Sequence, residues 1–177
     1  MNRKTFFRNA CGMSVCSCLG AGLFSLDNVS AEEKNKEDWK DGFVKYRFAK
    51  LIGILDSTLD ENTKNQIIES LGKECSKSGF AGGFKNNVEG FFNEIHKRWG
   101  ENATYDKEKE MIRIETPERD CVCPLVESKM ISNSICQCSI GWQKQTYHTI
   151  FGREVDARCI ESVVRGGKRC VFEIKIL

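Results

Sequence analysis

The 177 residues suit one domain, and 40% hydrophobic residues with 11 Phe and 3 Trp are enough to close a core, which excludes a disordered chain. Twenty-seven basic side chains stand against 25 acidic ones, and the single dense basic group is Arg165, Lys168 and Arg169. Nucleic-acid binding needs a clustered basic excess, so nucleic acid is excluded as a partner.

The chain starts with Arg3-Lys4-Thr5-Phe6-Phe7-Arg8, then 18 uncharged residues from Asn9 to Leu26, then Val29-Ser30-Ala31 before Glu32. Basic, apolar and small-residue regions in that order describe an export signal cleaved near Ala31. The basic part resembles the twin-arginine translocation motif, with Lys4 in the second arginine position and Phe7 in place of leucine; a general secretory signal is the alternative. The resemblance implies the twin-arginine export machinery as a partner and an exported, periplasmic or extracytoplasmic protein. The apolar stretch, rich in Gly, Ser and Cys, falls short of the roughly 20 strongly apolar residues of a span, so no stable membrane span is expected after signal removal. Anchoring through an uncleaved signal, or through lipid on Cys18, is the other outcome. Residues 1–31 are thus a signal peptide and 32–177 a single cysteine-rich α+β domain. Its formal charge is zero, with 24 basic and 24 acidic residues.

Within that domain a helical part covers about 40–100. After a charged stretch, Glu32 to Asp41, the residues Phe43, Phe48, Leu51, Ile52, Leu55 and Leu59 recur at helical spacing and predict a first core helix. Asp60 is a candidate N-cap for a second helix that buries Ile67, Ile68 and Leu71. A third, about Asn86 to Trp99, buries Val88, Phe91, Phe92, Ile95 and Trp99 and ends at Gly100.

The sheet part covers about 103–177. Met111 to Thr116 alternates with period two and stops at Pro117, which predicts a strand. A cysteine-bearing loop follows at roughly 118–138. Ile140, Tyr147, Ile150 and Phe151 then predict a helix closed by Gly152. Val155–Val164 and Cys170–Ile176 read as a hairpin turning at Gly166-Gly167. The expected fold is α+β: N-terminal helices, then a mostly antiparallel sheet with one further helix and a C-terminal β-hairpin.

Ten cysteines are present; three leave with the signal, and an odd seven cannot all pair within one chain. The most specific pattern is Cys121-Val122-Cys123, twelve residues, then Cys136-Gln137-Cys138. Four thiolates can complete a tetrahedral site for zinc or bind an iron–sulfur cluster, and Pro124 supports the turn that chelation needs. The spacing is one residue and not the two to four usual for zinc. Disulfides between the two pairs, or a reactive thiol, explain the same pattern.

In the predicted hairpin Glu161 opposes Phe172, Cys159 opposes Ile174 and Cys170 opposes Val163, which places Glu161 on the buried face with two thiols. Glu161 is then either a catalytic carboxylate, its pKa raised by burial, or a group hydrogen-bonded to a loop. Cys159 and Cys170 read as core cysteines, Cys75 as a helix-end thiol near Lys73 and Lys77. His96 and His148 are weak candidates for a ligand or base. Trp142, Tyr147 and Phe172 are candidate walls of a small-molecule pocket, with plain core packing as the alternative for the two on the amphipathic helix.

The run Cys136-Gln137-Cys138-Ser139-Ile140-Gly141-Trp142, then Phe151-Gly152-Arg153-Glu154-Val155, then Glu161 through Ile174, resembles the C-terminal half of 4-vinyl-reductase-like domains. It is also similar to L-2-amino-thiazoline-4-carboxylic acid hydrolase-like proteins. In both groups a helix leads into a strand with an acidic residue, a Gly-rich basic turn and a Cys-x-Phe-x-Ile strand. The first resemblance implies an α+β ligand-binding fold with cysteines suited to a metal or a small hydrophobic molecule. The second implies opening of a sulfur-containing ring or cleavage of an amide, a non-peptide C–N hydrolase, although the double Cys-x-Cys does not map onto that mechanism. Three functions are therefore expected: an exported small-molecule- or metal-binding domain with Cys121, Cys123, Cys136 and Cys138 as metal ligands; a hydrolase with Glu161 as acid/base; or a disulfide-stapled interaction module.

Overall fold

The computed structural model describes residues 27–123, 126 and 132–177, with side chains from residue 39 onward. The basic and apolar parts of the expected signal, and Cys18, lie outside the described residues. The chain divides into two units, Met1–Glu37 and Asp38–Leu177. No helix among the described residues is long and apolar enough to cross a membrane.

Helix α1 (Asp27–Thr58) is longer than the periodicity predicts, and it is not the core helix expected. Of its six periodic residues only Ile52, 1% exposed, is fully buried, while Phe43 and Leu51 are exposed. Its apolar residues spread around the whole helix instead of forming one stripe, so one side alone can pack. Trp39 and Phe43 stack on each other at 5.6 Å, with Arg47 over the Phe43 ring.

Helix α2 (Glu61–Lys77) starts as expected: the Asp60 carboxylate accepts from Thr63 N at 3.0 Å. Its buried residues are Ile68, Gly72 and Ser76, spaced four apart, while Ile67 and Leu71 are exposed. The reason is the partner, helix α4 (Cys136–Phe151), which crosses α2 backbone to backbone. A Cβ on Gly72 would lie 1.8 Å from the Cys138 carbonyl oxygen, and one on Gly141 2.0 Å from that of Glu69. Ser76 Oγ and Thr146 Oγ1 share a buried hydrogen bond of 2.8 Å across this seam. Helix α3 (Val88–Trp99) is capped by Asn87 and ends at left-handed Gly100.

Four antiparallel strands, β1 (Asn102–Asp106), β2 (Met111–Glu115), β3 (Val155–Glu161) and β4 (Val171–Ile176), lie in the order β1-β2-β4-β3. Strand β1 alternates weakly, with only Ala103 and Tyr105 turned to the core between polar residues, and the sequence predicts no strand there. Ile112, Ile114, Phe172, Ile174, Ile176, Val155 and Ala157 meet Phe91, Ile95, Ile140, Tyr147 and Ile150 in one core. The alternate residues form a charged outer face: Arg113 pairs with Glu115 and Glu173, and Arg158 with Glu173.

The C-terminal hairpin differs from the expected one. Cys159 opposes Phe172 and Ala157 opposes Ile174, a shift of two residues, and an irregularity follows before Glu161 opposes Val171. Val163–Arg165 is a 3-10 turn ending at left-handed Gly166, so the connection is long and not a two-residue turn. A two-residue shift leaves Cys159 facing the core.

Candidate functional site

The second Cys-x-Cys is not in a loop. A short 3-10 turn (Asn133–Ile135) runs directly into α4, so Cys136 and Cys138 occupy its first turn. Residues two apart on a helix point about 200° apart, and the two thiols join different groups. Cys136 is buried, its Sγ 3.1 Å from Ser162 Oγ, and its sulfur acts on Cys159 and Cys170. Cys138 lies within electrostatic reach of Cys75 and Cys123. Cys121 belongs with Cys170. The four predicted ligands therefore do not converge, and no group of three or more His, Cys, Asp or Glu among the described residues is placed to hold a metal ion. These residues as placed do not fit a tetrahedral zinc or cluster site.

Burial governs the thiols. It pushes Cys138 up to about 12, with the Cys75 and Cys123 sulfurs adding to it, and Cys159 up to about 11. Cys170 is raised by the same cause. At neutral pH these three are protonated, neither nucleophiles nor ready ligands.

Glu161 braces the hairpin connection: its Oε1 accepts from Lys168 N at 2.9 Å and Arg169 N at 3.3 Å. Gly167 lies so close that a Cβ there would be 2.6 Å from Glu161 Cγ. This is the loop-bonded arrangement of the two that the sequence left open. The histidines cap helices. His96 Nδ1 donates to Glu101 O at 3.2 Å, and His148 Nδ1 to Arg153 O at 2.8 Å, each five residues on and past a left-handed glycine. Cys75 is exposed near the end of α2.

Trp142 and Phe172 belong to the same core. Phe172 is buried in the core, and Trp142 packs against that core and meets Trp99 edge-on at 6.3 Å. Here the structure adds Gln143 to Tyr147, which the sequence already offers as a pocket wall. Tyr147 is 0% exposed and its hydroxyl has no hydrogen-bond partner; Gln143, one turn earlier, is 5% exposed and its Oε1 has none either. Both project from the core-facing side of α4, because i and i+4 share a face. Phe91 meets the Tyr147 ring edge-on at 5.7 Å. Burial pushes the Tyr147 phenol well above its ordinary range, and the Glu101 charge adds to it. Glu101 is itself raised by burial, against the pull of Arg119 at 3.3 Å. Arg119 is held by the Trp99 carbonyl at 2.7 Å. A signal for Gln143 exists in the sequence: it is a polar residue on the apolar stripe between Ile140 and Tyr147.

A surface pocket of about 180 Å³ lies elsewhere, lined by Lys73, Lys144, Gln145, His148, Glu154 and Val155. Lys144 is already bound there to Glu69 and Asp156, each at 3.1 Å.

The fold and this core define an α+β domain in which helices cover one face of a four-stranded antiparallel sheet. Residues 86–177, just over half of the chain, match the model of a family described as Family of unknown function (DUF6144), and the chain belongs to that family. No curated protein matches it. Among solved structures it is similar to a trafficking protein particle complex subunit 3 from Naegleria fowleri covalently bound to palmitic acid. That match has 16% identity and a TM-score of 0.46 over 75% of this chain and 95% of the other. It is also similar to the phenol-responsive sensory domain of the transcription activator PoxR with phenol, at 13% identity and TM-score 0.49 over 75% and 74%. A vinyl-4-reductase family protein from Methanocaldococcus jannaschii matches at 17% identity and TM-score 0.36 over 72% and 74%.

Proposed function

We propose that this protein is an exported small-molecule-binding domain whose ligand reaches Tyr147 and Gln143 between α3, α4 and the inward face of the sheet. The observation that carries the reading is the pair of buried polar atoms, Tyr147 OH and Gln143 Oε1, with no partner. Leaving a buried polar group unsatisfied costs about 1–3 kcal/mol, and a ligand that bonds both offsets that cost. A glutamine carbonyl accepts and a phenol donates or accepts, so the matching ligand carries a hydroxyl or amine. Its body is apolar, because Tyr147 lies in one core with Phe91, Ile140 and Phe172, and Trp142 packs against that core. Export rests on the order of residues 3–31, and is tested by whether a chain beginning at Glu32 is recovered outside the cytoplasm.

Titration of the full chain with benzyl alcohol and with hexanol, followed by tryptophan fluorescence, tests the binding reading through the Trp99–Trp142 pair. Saturable quenching is expected, weakened at least tenfold in Tyr147→Phe and in Gln143→Leu. Tyr147→Phe, which deletes an unsatisfied hydroxyl, should itself raise the unliganded protein's stability by about 1 kcal/mol. Absence of saturable binding, or equal binding by both variants, would overturn the reading. A high-resolution crystal structure with one ordered water bridging both atoms, and neither probe displacing it, would do the same.

A further inference from the structure

Helix α1 docks on the domain through Phe48, Ile52 and Leu55, which share a small core with Ile68 and Ile135. A second apolar set lies on its opposite side. At about 100° per residue, Trp39, Phe43, Tyr46, Lys50, Ile54 and Ser57 fall within roughly 60° of one line that points away from the docked side. There Trp39 is 67%, Phe43 48%, Tyr46 48% and Ile54 57% exposed, although a fold usually buries most of such a side chain. A groove of about 500 Å³ runs along this face, lined by Tyr46, Ala49, Lys50, Gly53, Ile54 and Ser57.

From this arrangement we infer that the outward face of α1 is a self-association surface, on which a second copy of this chain lays its own α1 antiparallel to form a twofold dimer. The area suffices. With about 200 Å² for each large side chain, the four exposed residues leave roughly 450 Å² uncovered, so two copies bury about 900 Å² through them alone. The Lys50 stem, Ala49 and Ser57 bring this to the roughly 1,000 Å² that a specific interface needs.

The charge near the middle of the face selects the direction. Lys50 Nζ lies 5.5 Å from the centroid of its own Tyr46 ring. In an antiparallel pair centred at Phe48, Lys50 of each copy also comes level with Tyr46 of the other, so both ammoniums stay on aromatic faces. A parallel pair would set the two ammoniums side by side. The same reversal brings Phe43 within one residue's rise of Ile54 and Trp39 level with Ser57. Gly42 and Gly53 line one edge, with nothing within 4 Å of a Cβ built on either, so at an interaxial distance of about 8–10 Å glycine or alanine fits there. A lipid surface fits less well, because a membrane-seeking helix keeps its lysines on the polar face and Lys50 lies within the apolar one.

Sedimentation velocity of the full chain over a concentration series tests this. A dimer is expected, its dissociation constant raised by about tenfold or more in Phe43→Glu and in Ile54→Glu, which bury a charge at the interface. Val44→Glu, which changes a residue 49% exposed but off this face, should leave it unchanged. All three positions are open to solvent in the single chain, so the fold survives each change, and far-ultraviolet circular dichroism checks that it does. Benzoylphenylalanine in place of Trp39 should cross-link on irradiation to the peptide that holds Ser57 of the other copy. A monomer at every concentration, a dimer that Phe43→Glu and Ile54→Glu leave intact, or a cross-link from position 39 to the same position of the other copy would each overturn the inference. A monomer that floats with vesicles of phosphatidylcholine and phosphatidylglycerol would overturn it too and give the face to lipid.

Discussion

Adding one methyl group at Gly72 and the same group at Gly53 separates helix propensity from helix packing. Alanine is favoured over glycine inside a helix by about 1 kcal/mol, so propensity alone stabilises both variants. At Gly53 nothing lies within 4 Å of the new Cβ, and a gain of about 0.5–1 kcal/mol is expected. At Gly72 the Cβ meets the Cys138 carbonyl oxygen at 1.8 Å and both Cys138 C and Trp142 N at 2.8 Å, all backbone atoms that cannot swing aside. To restore a contact near 3.4 Å, α2 and α4 must part by roughly 1.5 Å, an overpacking strain of about 1–3 kcal/mol. Parting also stretches the buried Ser76–Thr146 bond of 2.8 Å, which adds about 1–3 kcal/mol. Less the propensity gain, Gly72→Ala should lose about 1–5 kcal/mol. Gly141→Ala, closed off by Glu69 O at 2.0 Å, should behave alike, and the double variant should lose less than the two losses added, because one separation relieves both clashes. Urea unfolding midpoints at constant m-value provide the assay. A Gly72→Ala protein as stable as the parent would refute the backbone-to-backbone crossing.

Two further outcomes follow from the cysteine and hairpin geometry. The folded Cys138 and Cys159 thiols hold their protons to about 12 and about 11, against 9.0 for a free thiol. The folded state therefore binds more protons than the unfolded one between pH 9 and 12, and the stability present below pH 9 is lost as pH rises through that window. Under reductant, urea midpoints should fall between pH 8 and pH 10.5, and fall less in Cys138→Ala; an equal fall in the variant would contradict the assignment. Glu161→Ala removes the acceptor of two backbone N–H groups and should destabilise the protein by about 1–2 kcal/mol, whereas Glu161→Gln retains a carbonyl acceptor and should lose clearly less. Equal losses by both variants would show that the bonds to Lys168 and Arg169 are not what holds the connection.

Where the sequence was legible, a local rule had no rival. Asp60, Gly100 and Gly152 end or begin helices as their chemistry dictates, and the alternation of 111–115 marks β2. Helix α1 misled because helical spacing of apolar residues does not say whether a partner exists to cover them. The second Cys-x-Cys reads as loop because two cysteines one residue apart suggest chelation, yet α4 begins there and turns them apart. Gly72 and Gly141 gave no warning, since glycine inside a helix reads as a weakness until its opposite backbone is known. The hairpin register was legible but missed. Parity allows both the expected pairing and the observed one, but the expected pairing sets Arg158 opposite Lys175, whereas the observed one sets Arg158 opposite Glu173 and Asp156 opposite Lys175. Like charges directly opposite are unfavourable, and that rule decides between them.

The same outer face gives Glu173 an uneven share of this decision. It sits on β4 between two neighbouring strands, accepting from Arg113 at 3.2 Å on one side and Arg158 at 2.9 Å on the other. Both guanidiniums hold its carboxyl below the ordinary range, Arg158 first, so it stays ionised well into acid. Hydrophobic alternation sorts inside from outside but is blind to a slip of two, so Glu173, the carboxylate that meets both neighbouring strands, carries much of the alignment of three strands. Replace it with a neutral residue and two arginines are left facing each other across a strand that no longer separates them electrically; the sheet keeps its core and loses its vernier.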